Sequence, residues 1–127
     1  MLYVREAKGS VDEVCKKLET AISANKFGLL GVYNLREKMA AKGVPFDREC
    51  RIFEVCNPSQ AKRVLEANMS ISTALPCRIS LYEEAGRVKV ATLKPRAILA
   101  LFGNPELEQV AEDVEKTILR IIDEVAT

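Results

Sequence analysis

Residues 78–93 read RISLYEEAGRVKVATL and residues 104–125 read NPELEQVAEDVEKTILRIIDEV; together these stretches decide the fold class. In the first, Ile79, Leu81, Val88 and Val90 alternate with polar neighbours, which predicts two strands, Arg78–Glu83 and Arg87–Leu93, joined at Glu84, Ala85 and Gly86. In the second, Asn104 followed by Pro105 is a helix-start signal. Leu107, Val110, Ala111, Val114, Ile118, Ile121, Ile122 and Val125 then keep helical spacing on one stripe. Burying that stripe contributes about 1.5 to 3 kcal/mol for each large side chain before conformational entropy is subtracted, so this helix is expected to form a main wall of the core.

Upstream, the same reading yields alternating elements. Tyr3–Ala7 suits a short edge strand, and Ser10 with Glu13 has capping-box spacing ahead of a helix whose inner stripe is Val11, Val14, Cys15, Leu18, Ala21 and Ile22. Leu29–Tyr33 is an apolar run of the length of a buried strand. Asn34 and Glu37 repeat the cap before a short helix over Leu35–Lys42, contacted through Leu35 and Met39 and closed by Gly43 and Pro45. Arg51–Val55 alternates as a strand, and Asn57 with Pro58 opens a helix that presents Ala61, Val64 and Leu65 inward and stops near Asn68. The order strand, helix, strand, short helix, strand, helix, hairpin, long helix predicts a single α+β domain. Its sheet, antiparallel or mixed, should carry helices on one face.

Composition narrows function by exclusion. The chain has 127 residues, enough for one core, and 48% hydrophobic against 29% charged residues, a globular balance. With 19 Lys plus Arg against 18 Asp plus Glu there is no global basic field to attract nucleic acid. The absence of His removes Ser-His-Asp and Cys-His catalysis and the commonest nitrogen metal ligand. Charge within Met1–Glu6 and the lack of a secretory pattern argue against export. The longest uncharged apolar run, Ala97–Gly103, is too short to span a membrane, so a soluble cytoplasmic protein with reduced thiols is expected.

Chemistry therefore falls to the cysteines. Cys56 lies between the end of a strand and the start of a helix, where unpaired backbone amides favour an anion and a lowered thiol pKa; a small buried hydrophobe is the other reading of the same position. Cys77 follows Pro76 at the start of a strand. Cys50 shares the strand that delivers Cys56 and stands among polar residues as the most exposed thiol. Convergence of the three sulfurs would suit zinc, but no Cys-x-x-Cys or His supports a metal site. Asp47, Glu49 and Glu54 read as surface charge. Lys94 and Arg96 are two cations able to meet an anion, and Gly28 and Gly31 lack the pattern of a phosphate or dinucleotide loop.

The combination of Cys56-Asn57-Pro58, Ala61, Leu75-Pro76-Cys77 and Lys94-Pro95 resembles, over nearly the whole chain, the family called domain of unknown function 302. The resemblance implies a compact α+β domain of TATA-binding-protein-like layout that associates as a homodimer, with site residues Cys56, Asn57, Pro58, Pro76 and Cys77. It implies no DNA binding, because this chain lacks a basic saddle. The family carries no assigned activity, and nothing in the sequence names a cofactor. The expected function is a homodimeric binding module whose Cys56 and Cys77 region receives a small ligand, a metal or a sulfur species. The alternatives are a thiol redox or sulfur-transfer protein using Cys56, and a structural or partner-binding domain whose thiols fill the core.

Overall fold

A computed structural model describes residues 1–127. Five strands, β1 (Leu2–Ala7), β2 (Gly28–Asn34), β3 (Cys50–Cys56), β4 (Cys77–Glu84) and β5 (Arg87–Leu93), form one sheet in the order β1-β5-β4-β3-β2. Every pairing is antiparallel, which resolves the choice left open by the sequence. The helices are α1 (Val11–Ala24), α2 (Leu35–Ala41), α3 (Pro58–Ala67), α4 (Pro95–Ala100) and α5 (Glu108–Ala126), with 3-10 turns at Met69–Ala74 and Pro105–Leu107. None is long and apolar enough to cross a membrane.

The hairpin closes because Ala85 and Gly86 both adopt positive φ, 54° and 73°, the left-handed pair whose twist matches two antiparallel strands. Alternation then sends Phe53, Val55, Ile79, Leu81, Val88 and Val90 to one face, where all are buried. Helices α1 and α5 pack there. All six expected residues of the α1 stripe and all eight of the C-terminal stripe are buried, within one continuous core cluster. Ser10 and Glu13 form the expected capping box: Ser10 Oγ accepts from Glu13 N at 3.1 Å, and Glu13 Oε1 accepts from Ser10 N at 3.2 Å.

Two local expectations need correction and two details are added. The Leu29–Tyr33 run is not a buried strand: β2 is a sheet edge bonded only to β3, with a register shift between Leu29 and Gly31, and Leu30 is 62% exposed. A short apolar run has the same appearance in the middle of a sheet and at its rim. Asn104 does not cap the last helix; its side chain accepts from Asn68 Nδ2 at 3.1 Å and donates to Glu106, a 3-10 turn intervenes, and α5 begins at Glu108. Of the expected inner face of α3 only Val64 is fully buried, Ala61 and Leu65 being half-buried. The apolar stretch after Lys94 is partly the unanticipated helix α4, opened by Pro95 at a first-turn position and burying Pro95 and Leu99.

Candidate functional site: an apolar cavity at the Cys56 and Cys77 end of the sheet

The β3–β4 register sets Val55 against Cys77, so Cys56 and Cys77 are neighbours where β3 ends and β4 begins. Asn57 caps α3 by accepting from Gln60 N at 3.2 Å, and Pro58 occupies its first turn. The Leu75–Pro76 peptide bond is cis. These segments, with Phe27, Leu30 at the β2 irregularity, Leu99 of α4 and Val114 of α5, line an open-sided cavity of about 270 Å³. Eleven of its fourteen lining residues are hydrophobic and none is charged, so it is built to take apolar surface out of water.

Of the five residues singled out from sequence, Cys56, Asn57, Pro76 and Cys77 line this cavity. Pro58 does not; it is exposed on the outside of the α3 start. Leu75, Pro76, Cys77 and Leu99 also wall off a second, smaller cavity of about 100 Å³ beside Leu93, Pro95 and Ile98.

The three sulfurs, whose convergence the sequence leaves open, do not meet. Cys50 sits at the far end of β3 opposite Tyr82, and six residues of strand place it about 20 Å from Cys56. No group of three or more His, Cys, Asp or Glu side chains is placed to hold a metal ion. All four cysteines are free; Cys50, Cys56 and Cys77 are alike half-buried, while Cys15 is buried and accepts from Arg51 Nη1 at 3.4 Å.

Of the two readings of Cys56, the structure opposes the lowered pKa. Burial pushes the Cys56 thiol up, and no charge or donor near it favours the thiolate. Cys77 is pushed up to about 11, chiefly by burial and further by the neighbouring Cys56, with Arg78 offsetting part of the shift. Helix α3 does not reverse this. Asn57 already takes the Gln60 amide, and the remaining surroundings are apolar. Both groups are therefore thiols near neutral pH, poor nucleophiles but good packing surface.

Gln60 is the residue that sequence reasoning passed over. It stands three positions after Asn57, the spacing of a capping box, which would send its side chain back to the Asn57 amide. In the structure that reciprocal bond is not made. Gln60 lines the cavity, and its Oε1 is buried without any hydrogen-bond partner.

The other candidate groups lie elsewhere. Glu54 accepts from the Tyr33 hydroxyl at 2.7 Å and pairs with Arg78, while Glu49 pairs with Arg36 and Arg51. Lys94 and Arg96 border a groove between α4 and α5 that also carries Glu108 and Glu115, and Arg96 N donates to Glu115 Oε1 at 3.3 Å. That groove therefore mixes both signs of charge.

Comparison with known proteins places this geometry in a family. A comparison with curated proteins gives no match. The family model described as domain of unknown function DUF302 matches residues 3–125. The fold is similar, with a TM-score of 0.92, to the crystal structure of an uncharacterized conserved DUF302 protein from Bacillus stearothermophilus. The two sequences are 31% identical, over 98% of this chain and 97% of that one. On both grounds the chain belongs to the DUF302 family.

Proposed function

We propose that the protein is a homodimeric binding module of a reducing, cytoplasmic compartment whose Cys56 and Cys77 cavity receives a small ligand. The observation that carries this reading is the cavity itself. Its volume of about 270 Å³ is just under the range of ordinary ligand pockets and suits a small ligand, its walls are apolar, and four of the five family-motif residues line it. Thiol redox or sulfur transfer through Cys56 is the weaker reading, because it needs a thiolate that burial of both sulfurs opposes.

The proposed dimer uses the face of the sheet opposite the helices. There Leu2 pairs across from Leu93 and Val4 from Ala91, forming an apolar strip in which Leu2 is 62% and Leu93 50% exposed. The charges beside it are already matched, Arg87 with Glu6 and Lys89 with Glu84, so a second copy would bury apolar surface without stranding an ion.

Native mass spectrometry of protein purified without added thiol tests both parts. The expected result is a dimer carrying a bound mass that is lost in a folded Cys56→Ser, Cys77→Ser double variant. A clean monomer with four unmodified thiols would overturn the reading in favour of a structural protein whose thiols are packing.

A further inference from the structure

Resting on the reading of the Cys56 and Cys77 cavity as a ligand site, we propose that Leu99 sets the size of what that site takes. The ligand class is a slender apolar molecule of up to about ten non-hydrogen atoms, without charge on the part that enters.

Leu99 stands where three spaces meet. It lines the apolar cavity of about 270 Å³, the smaller cavity of about 100 Å³ beside Ile98, and the groove of about 660 Å³ between α4 and α5, and it is the one residue common to all three. Leu75, Pro76 and Cys77 complete the wall between the two cavities, but they belong to the run of chain that enters β4. Leu99 reaches that wall from a helix of six residues, of which only it and Pro95 are fully buried. Its side chain is therefore the part of the partition that can change without disturbing the sheet.

The partition divides surroundings as well as space. No residue lining the apolar cavity is charged, whereas the groove beyond Leu99 carries Lys94, Arg96, Glu108 and Glu115. A charged group inside the cavity would lose its hydration without a counter-ion. Size follows from volume. An apolar cavity of about 150 Å³ holds benzene, so one of about 270 Å³ holds about ten non-hydrogen atoms. Joined to the smaller cavity it would offer about 370 Å³, room for about fifteen. While Leu99 stands between them, a longer chain must leave by the open side into water, where added length buries little.

Linear alkan-1-ols from butanol to dodecanol, titrated into the intact protein, read this limit. Nuclear Overhauser contacts locate the chain, since Val64 lines the larger cavity but not the smaller, and Ile98 the smaller but not the larger. The affinity is expected to rise about fourfold for each added carbon, the effect of one buried CH₂, as far as about nonanol, and by less than about twofold per carbon beyond it. Contacts should reach Val64 and not Ile98. In Leu99→Ala the rise should continue through dodecanol and contacts to Ile98 should appear. Octane-1,8-diamine, which cannot enter without carrying a charge inward, should make no contact with Val64.

A wild-type affinity that climbs steadily through dodecanol, or contacts from a short alkanol to Ile98, overturns the role of Leu99 and leaves the cavity reading intact; neither result needs a variant to fold. A limit that stays at nonanol in a folded Leu99→Ala protein overturns it as well. Entry of the diamine overturns the uncharged class. Absence of contacts between Val64 and every alkanol overturns the cavity reading and this inference together.

Discussion

Removing the Cys77 thiol should flatten part of the protein's response to alkali. In the folded chain burial holds this thiol up at about 11, against an ordinary value of 9.0 that the unfolded chain recovers. A group whose folded pKa is raised stabilises the fold fully below its unfolded pKa. That contribution is lost as pH climbs from 9.0 to about 11, because the unfolded state releases the proton first. A difference of about two units corresponds to about 2 to 3 kcal/mol, a large part of the stability of a domain this size. Urea denaturation at pH 8, 9, 10 and 11 should therefore show the wild-type free energy falling more steeply than that of Cys77→Ala, by about 2 to 3 kcal/mol across the range. Groups that do not touch Cys77 are the same in both proteins and cancel in the difference. The same shift leaves about a hundredfold less thiolate at pH 8 than an ordinary cysteine has, so iodoacetamide should modify Cys77 about a hundredfold more slowly than a free thiol of ordinary pKa. Parallel stability curves for the two proteins, with fast alkylation of Cys77 at pH 8, would refute the reasoning and restore an activated thiol.

Ala85→Asn should stabilise the hairpin by about 1 kcal/mol, since Asn tolerates the positive φ that alanine holds at 54° ahead of Gly86; a thermal melt that fails to rise would count against the turn geometry. Phe53→Ala, inside the core, should cost about 3 to 5 kcal/mol, whereas Val32→Lys on the edge strand β2 should cost less than about 1 kcal/mol; comparable losses in urea melts would return β2 to the interior of the sheet. Leu2→Lys with Leu93→Lys should give a folded monomer by sedimentation, and an unaltered dimer would exclude that face.

Much of the architecture was legible before any coordinates because a helix stripe reports its own burial. Val14, Leu18 and Ile22 on α1, and Val114, Ile118 and Ile121 on α5, recur at a period that only one covered face explains, and they are buried as a set. The capping box at Ser10 and the Ala85-Gly86 turn were legible for a similar reason: each is a contact among residues within three or four positions of one another. The short helix α4 escaped because six residues after a strand hold too little period to announce themselves.

The site belongs to the other category. Cys56-Asn57-Pro58 and Leu75-Pro76-Cys77 were recognisable as motifs, yet whether their sulfurs meet depends on the register between β3 and β4. That register joins Val55 to Cys77 and carries Cys50 to the far end of the same strand. Period-two counting along β3 relates Cys50 to Cys56 in face only, and face is not proximity. The direction of the Cys56 pKa likewise follows from what surrounds the sulfur: a helix start argued for an anion, and the apolar walls supplied by β2, α4 and α5 argued harder against it. Gln60 completes the contrast. Its spacing from Asn57 is that of a local cap, and only the packed fold leaves its oxygen buried without a partner. Sequence by itself determined the elements whose contacts are local or periodic. Tertiary structure decided the edge of the sheet, the nearness of the two thiols and the unpartnered Gln60 oxygen, because each is a relation between segments that the chain brings together only on folding.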